Sequence, residues 1–279
     1  MLGIWPSGHS IDHPGIQKGM TKNTEAEADT DFAGDGMAVP TGPAAELEAH
    51  VLSHLPDFLE RYRRKAFDYV GNSNYFSADI AKELFPEYAE NREARMANSS
   101  LVQAASIRIK EEAFRRLCEQ APDGETDRVV FMAGGTGAGK STLSPRTGVV
   151  YDGNLASIRG ARRKIDTVLK TGRKVLVAYV YREPLQAYRD GVLPRAQRYG
   201  RIVPTDVHAS THVGAFTAFK ALKRYFKNDD RVQVIGQAPE GSPPQAAQLC
   251  GELDELVREQ LRMGKISELL ASYALKRGR

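Results

Sequence analysis

The chain of 279 residues is long enough for one large α/β domain, or for one domain with a helical extension. Hydrophobic residues make up 41% and charged residues 27% of the chain, as in ordinary globular proteins. No apolar run reaches the roughly 20 residues that a membrane span needs, so we expect no membrane partner. Two cysteines, Cys118 and Cys250, are too few for a disulfide framework or a zinc knuckle, and free thiols in a reducing compartment are expected.

The net charge of +4 is unevenly distributed along the chain. Residues 1–44 hold six acidic side chains and two lysines, a local charge of −4, which leaves +8 on the remainder. This moderate basicity suits anionic small molecules such as nucleotides and is too weak to indicate nucleic acid as a partner. Residues 1–44 also lack periodicity and are rich in Gly, Pro, Asp and Thr, so we predict a disordered tail. The N-terminus has no secretory signal, which predicts a cytoplasmic protein and leaves export as an effector open.

Residues 45–122 are predicted to form a helical extension. Apolar residues recur there at helical spacing, and prolines mark the breaks between helices. Ser77 is placed to cap a short helix, and Ser99 or Ser100 is placed to cap a longer one. The predicted helices span residues 45–55, 57–70, 78–85 and a longer run with an apolar face from Leu101 to Leu117.

The hydrophobic period changes near residue 123, and residues 123–279 are predicted to form a separate α/β domain. Strands alternating with helices indicate right-handed βαβ units. The predicted fold class is therefore α/β, a parallel sheet flanked by helices. Short apolar runs predict strands at residues 128–133, 148–152, 175–180 and 232–235, and helical stripes predict helices near residues 155–169, 213–226, 244–262 and 265–276.

The strongest motif is Gly134-Gly-Thr-Gly-Ala-Gly-Lys-Ser141, a complete Walker A sequence between a predicted strand and a predicted helix. Glycines allow backbone N–H groups to converge on phosphate oxygens, and the start of the helix adds positive potential. Lys140 is expected to neutralise the donor phosphates and Ser141 to ligate Mg²⁺, so ATP and Mg²⁺ are the predicted cofactors. The predicted phosphate-binding residues are Gly134, Gly135, Thr136, Gly137, Ala138, Gly139, Lys140, Ser141 and Thr142.

A P-loop occurs in proteins with many different activities, so the reaction has to be inferred from residues downstream of it. Asp152 ends a predicted strand, where a carboxylate would face the phosphates and hold a metal-bound water or accept a substrate proton. The alternative is a turn aspartate. Arg195, Arg198 and Arg201 lie in a loop-like stretch bracketed by prolines. They are predicted to clamp the transferring phosphoryl group, and the alternative is a solvated basic helix face.

A pair of histidines, His208 and His212, lies four residues apart on a predicted helix. This spacing can bind a metal ion on one helix face. No Glu follows His208 and no third ligand is evident, so we expect no metal there.

Four stretches resemble the zeta-toxin family of P-loop kinases and together cover roughly residues 70–240. The resemblance implies phosphoryl transfer from ATP to a hydroxyl of a small-molecule acceptor. That acceptor is UDP-N-acetylglucosamine in the best-known members and other metabolites, including dinucleotides, in their relatives. It also implies that Arg195, Arg198 or Arg201 are lid arginines, and that an antitoxin protein is a partner. The stretches are residues 130–142, residues 150–175, residues 195–208, and Phe76-Ser-Ala-Asp-Ile-Ala-Lys-Glu-Leu-Phe-Pro-Glu-Tyr88, which is similar to a helical extension in some members.

The resemblance has one gap. The family carries Asp-x-Phe-Arg-x-x-His-Pro after the P-loop helix, and its Asp is the general base. Here nine residues separate Thr142 from Asp152, and Pro145 limits the P-loop helix to about two turns, so we expect the segment to be absent and not displaced. Either Asp152 substitutes, or the acceptor differs, or activity is lost. The open hypotheses are a small-molecule kinase, a catalytically degenerate nucleotide-binding or interaction protein, and a polynucleotide kinase.

Overall fold

A five-stranded parallel sheet forms the centre of the protein in a computed structural model, which describes residues 40–277. The strand order is β1-β3-β2-β4-β5, and the strand that leads into the P-loop is the middle one. Helices flank the sheet, which confirms the predicted α/β class. The strands are β1 (Tyr75–Ser77), β2 (Arg128–Ala133), β3 (Val149–Asp152), β4 (Lys174–Tyr179) and β5 (Val232–Gly236).

Within the described residues, six helices precede β2, and local signals set several of their ends. Prolines occupy the first turn of the first two helices, where a missing N–H is harmless, and Gly71 ends the second at a left-handed φ of 74°. Neither Ser99 nor Ser100 caps the sixth helix as predicted, since that helix begins at Gln103 after Val102. The Ser99 hydroxyl instead accepts a hydrogen bond from Lys82 at 3.1 Å. The helices are α1 (Pro43–Ser53), α2 (Leu55–Val70), α3 (Ala78–Lys82), α4 (Pro86–Ala89), α5 (Arg92–Asn98) and α6 (Gln103–Cys118).

The predicted tail, residues 1–44, lies outside the described residues except for residues 40–44, and α1 begins already at Pro43. Neither cysteine forms a disulfide: Cys118 is buried and Cys250 is half-buried. Among the helices of residues 40–277, none is both long and apolar enough to cross a bilayer.

Helices also cover most of the chain after β2. The P-loop helix has only four residues, shorter than the two turns that Pro145 would allow. Residues 193–199, the first part of the arginine-bearing stretch predicted to be loop-like, are instead helical, because Pro194 lies in a first turn and does not break the helix. The helices are α7 (Lys140–Leu143), α8 (Ile158–Lys170), α9 (Pro184–Ala187), a π-helical turn (Tyr188–Val192), α10 (Leu193–Tyr199), α11 (Thr205–Tyr225), α12 (Ala246–Arg262) and α13 (Glu268–Leu275).

Strand β1 lies inside the stretch that was predicted to be helical throughout, and that prediction is wrong there. Its three residues pair in parallel with β3, with Tyr75 opposite Val150 and Ser77 opposite Asp152. Three apolar or small residues between helices are too short to show a period of their own. The pairing makes the helical extension and the P-loop strands share one sheet.

The core between α6 and the sheet joins the two parts of the chain. Phe114 of α6 packs edge-on against Phe76 at 5.2 Å and against Tyr151 at 5.0 Å between ring centroids. Burying each such ring contributes about 1.5–3 kcal/mol. Beside the rings, the buried carboxylate of Glu111 pairs with Lys164 of α8 at 3.1 Å and accepts a hydrogen bond from Tyr151 of β3. The extension is therefore anchored by apolar packing and by a buried charged group.

Candidate functional site

The Walker A residues form a tight loop between β2 and α7. Gly134, Gly137 and Gly139 have φ angles of 139°, 71° and 95°, which residues with a side chain rarely adopt. Ser141 and Thr142 lie exposed on the one-turn helix α7. Because α7 has only four residues, its dipole adds less positive potential than a full helix would. The backbone of the loop and the Lys140 ammonium are therefore the main groups available to phosphate oxygens.

The Lys140 side chain folds over its own loop. Its Nζ donates to the carbonyls of Gly134 at 3.0 Å and Gly135 at 2.9 Å, and to Oδ1 of Asn154 at 3.1 Å. Burial lowers the pKa of Lys140, while the negative charge of Asp152 opposes that shift. Asn154 was not singled out from the sequence, although it follows β3 directly in Asp-Gly-Asn. The ammonium is thus held at the loop, where incoming phosphate oxygens can replace the carbonyls as its partners.

Asp152 ends β3 beside the P-loop, at the carboxyl edge of the sheet where it was expected. Its Oδ2 accepts a hydrogen bond from the Tyr75 hydroxyl at 3.1 Å. Burial raises the pKa of the Asp152 carboxyl, and the Lys140 ammonium acts against that rise. A hydroxyl and a carboxylate oxygen are ligands that Mg²⁺ prefers, so Ser141 and Asp152 fit this ion. Within residues 40–277 no three His, Cys, Asp or Glu side chains converge to hold a metal, so Mg²⁺ here would also need oxygens of the nucleotide.

The two histidines support the P-loop from α11. His208 Nε2 faces the Pro184 carbonyl at 3.0 Å and therefore carries the proton, so its Nδ1 accepts from the Thr136 hydroxyl at 2.6 Å. His212 Nε2 donates to the Thr136 carbonyl at 2.9 Å. Burial lowers the pKa of His208 to about 3 and that of His212 to about 4, so both are neutral near pH 7. A Cβ at Gly135 would lie 2.2 Å from the His212 ring, so the loop rests directly on these side chains.

The three candidate arginines have three different environments. Nη1 of Arg195 lies 3.9 Å from Oδ2 of Asp79, and its charge lowers the pKa of Lys140 across the site. Arg198 is exposed beside the ring of Tyr199, in a position matching the alternative of a solvated helix face. The arginines were predicted to clamp one phosphoryl group together, but α10 presents only Arg195 toward the P-loop.

Arg201 binds a carboxylate and not the P-loop. Its Nη2 lies 2.7 Å from Oε1 of Glu83, whose other oxygen pairs with Arg95 at 3.0 Å. The Glu83 side chain is only 7% accessible, so this pair is largely desolvated. Arg201 therefore ties the segment after α10 to the helical extension.

The π-helical turn brings α10 against the P-loop. A Cβ at Gly137 would lie 2.7 Å from the Ala187 carbonyl, and one at Gly191 would lie 2.9 Å from the Gly137 carbonyl. Two backbones can approach this closely only because both positions lack a side chain. Single π-helical turns within longer helices often occur at functional sites. Here the turn places Arg195 one helical turn beyond the contact with the loop.

Asp79 is the site residue that the sequence analysis missed. It lies two residues beyond Ser77, which pairs with Asp152 across the sheet edge, and half of its side-chain surface is accessible. Desolvation opposes its ionisation, but the positive charges of Lys82, Arg195 and neighbouring cations outweigh that effect and lower the pKa of Asp79. A carboxylate thus lies among cations on the side of the P-loop toward the helical extension.

A stretch upstream of the P-loop has the spacing of the acceptor segment that was expected to be absent. Asp79-Ile-Ala-Lys-Glu-Leu-Phe-Pro86 matches the spacing of Asp-x-Phe-Arg-x-x-His-Pro, with Asp and Pro retained and Lys82 in place of Arg. The chain runs from α7 directly into β3, and β1 occupies the edge position beside β3. The spacing of Asp and Pro is the sequence signal that marks Asp79 as a candidate acceptor residue.

A comparison with known protein families gives a match for the part of the site that follows the P-loop in the sequence. Residues 144–242 match the sequence model of the zeta toxin. The resemblance predicted from the sequence is thereby confirmed at the level of a P-loop kinase-like family. The zeta-toxin match includes Asp152 and the three arginines and begins just after the P-loop, whereas Asp79 lies upstream of it. No curated protein matches the chain.

Proposed function

We propose that this protein is an ATP-dependent kinase that transfers the γ-phosphate to a hydroxyl of a nucleotide sugar or a similar small metabolite. The observation that carries the proposal is the approach of Arg195 to Asp79 beside the P-loop lysine, at one edge of the sheet. A phosphoryl-transfer site needs a donor cradle, a proton acceptor and a cation over the transferred group. These three parts come from β2–α7, from α3 and from α10.

On the donor side, the loop backbone and Lys140 bind the β- and γ-phosphates. Ser141 and Asp152 would hold Mg²⁺, which neutralises charge on the phosphates when bound. The neutral histidines His208 and His212 keep Thr136, and with it the loop, in place without adding charge. The donor side thereby orients the γ-phosphate toward α3 and α10.

On the acceptor side, Asp79 accepts the proton of the attacking hydroxyl. The acceptor oxygen forms a bond to the γ-phosphorus, the bond from that phosphorus to the bridging oxygen breaks, and ADP leaves with the electron pair. Arg195 stabilises the charge that spreads over the transferred group. The lowered pKa of Asp79 keeps the carboxylate ionised at neutral pH and ready for the proton. In this proposal Asp152 helps to hold Mg²⁺, and Asp79 is the base.

The test is an ATP-dependent mass gain in a metabolite extract and in purified UDP-N-acetylglucosamine and dinucleotides, followed by mass spectrometry. The wild type is compared with Lys140→Ala, and Lys170→Ala, an exposed lysine of α8, is the matched control. We expect one added phosphoryl group with the wild type and the control, and none with Lys140→Ala. ATP binding without any mass gain would support the degenerate nucleotide-binding hypothesis and contradict the kinase.

The choice among acceptors follows from the same experiment. Phosphorylation of an oligonucleotide and not of a small metabolite would favour the polynucleotide kinase. An antitoxin partner and a cytoplasmic location stay predictions.

A further inference from the structure

Tyr75 connects the upstream strand to the metal side of the P-loop. Its ring is buried on β1, and its hydroxyl lies 3.1 Å from Oδ2 of Asp152 and 3.3 Å from Oγ of Ser144. One phenol thus touches Asp152, a residue that fits Mg²⁺, and Ser144, the residue directly after α7.

The direction of these hydrogen bonds is fixed by the partners. Ser144 donates its own proton to the Lys140 carbonyl at 3.0 Å, so its Oγ is left as an acceptor. An ionised Asp152 can only accept, so the Tyr75 hydroxyl is the donor to it. The phenol has one proton, and the nearer of its two acceptors is Asp152, at 3.1 Å against 3.3 Å for Ser144. Tyr75 therefore holds the Asp152 carboxylate by donating to it.

We propose that Tyr75 is a positioning residue that holds Asp152 in the orientation needed for Mg²⁺-dependent nucleotide binding. This inference rests on the proposed function, because that function assigns Asp152 to the metal side. An unconstrained carboxylate at a strand end rotates among several orientations, and ordering it on binding costs free energy. The hydrogen bond from a buried tyrosine selects one orientation beforehand. Since Tyr75 belongs to β1, the helical extension then takes part in binding the donor as well as the acceptor.

A second tyrosine, on helix α2 and bonded to the same strand, provides the matched control. Tyr62 is fully buried, and its hydroxyl donates to the Tyr75 carbonyl at 2.9 Å and accepts from the Ser77 N–H at 2.7 Å. It fixes the backbone of β1 but touches neither Ser141 nor Asp152. Tyr62→Phe and Tyr75→Phe each remove one buried hydroxyl next to β1, so any effect of loosening the strand is common to both.

The experiment measures the affinity of the full chain for a fluorescent ATP analogue with Mg²⁺ and with EDTA. The dissociation constant with EDTA divided by the dissociation constant with Mg²⁺ gives the Mg²⁺ dependence of binding, and this ratio does not depend on turnover. We expect Tyr75→Phe to reduce this ratio by about tenfold, the effect of one hydrogen bond to a charged group at the low end of its range. Tyr62→Phe is expected to keep the wild-type ratio.

A double variant separates positioning from a general loss of structure. In the Asp152→Asn background, Tyr75→Phe is expected to change the ratio no further, because the carboxylate it orients is gone. An unchanged ratio in Tyr75→Phe, or equal losses in Tyr75→Phe and Tyr62→Phe, would overturn the positioning role while the kinase stands. A wild type that binds the analogue equally well with EDTA would overturn the metal side of the proposed function together with this inference.

Discussion

The proposed donor side and the proposed acceptor side of this site are built in different ways. The phosphate-binding loop of the donor side comes from one contiguous run, residues 134–141, whose shape is set by its own glycines. The acceptor side combines Asp79 from before the P-loop with Arg195 from well after it, and neither is near the other in sequence. A contiguous site survives rearrangement of its surroundings, whereas an assembled site depends on the pairing of β1 with β3. The two sides should therefore respond differently to substitution.

The sharpest test of this difference is Asp79→Asn. If Asp79 is the base, turnover falls by about 10²- to 10⁴-fold, the usual contribution of general base catalysis. Affinity for ATP changes little, because the donor side is intact. Steady-state kinetics and nucleotide titration measure the two quantities, with Asp68→Asn, an exposed acid on α2, as control. Near-normal turnover in Asp79→Asn together with an inactive Asp152→Asn would assign the base to Asp152 instead.

Arg195 and Arg198 should also respond differently to substitution. Arg195→Ala is expected to lower kcat by about 10²- to 10³-fold, as when one group that stabilises transition-state charge is lost. Arg198→Ala, from the same helix but exposed, should leave kcat within about twofold. Equal losses in both variants would mean that α10 turns during the reaction and that the side chain near Asp79 is not the one that matters.

The attachment of the acceptor side to the extension is tested by Glu83→Gln. Removing the charge leaves Arg201 and Arg95 without their shared carboxylate, and we expect a loss of about 2 kcal/mol in the free energy of unfolding. Urea denaturation measures it. Glu60→Gln, which breaks an exposed pair with Arg64, should cost less than about 0.5 kcal/mol. A Glu83 variant as stable as the Glu60 variant would show that the segment after α10 is held by packing alone.

The two histidines that support the P-loop should make the free energy of unfolding depend on pH in the acid range. The folded-state pKa values of His208 and His212, about 3 and about 4, lie below the ordinary value of about 6.5. Between about pH 4 and 6.5 the unfolded chain therefore binds more protons than the folded chain, and acid favours unfolding. Each histidine should contribute about 1.4 kcal/mol of lost stability per pH unit in that range.

His208→Asn is expected to remove one such contribution from the slope of unfolding free energy against pH. His54→Asn, at an exposed position on the extension, should leave the slope as it is. The measurement is a series of denaturant titrations across that pH range. A slope that His208→Asn does not change would mean that the ring is protonated in the folded protein.

These contrasts also explain what the sequence revealed and what it did not. Strands β2 to β5 and the Walker A loop are local patterns, and each could be predicted from a few consecutive residues. Strand β1 could not, because three residues become a strand only through pairing with β3. The helix α10 was hidden by Pro194, since a proline in a first turn and a proline in a loop look alike in sequence. Asp79 could be recognised by its spacing to Pro86, but its place in the site depends on β1.

The long separation between β1 and β3 has a consequence for synthesis. Tyr75 pairs with Val150, so the partner of the edge strand leaves the ribosome 75 residues later (150 − 75), or about 4–15 s at ordinary translation rates. During that interval the nascent chain has made Asp79 but has no sheet edge on which to place it. A chain that stops directly after the P-loop would contain the whole phosphate-binding motif and still lack the proposed acceptor side. The order of translation thus keeps Asp79 from its place at the sheet edge until β3 is complete.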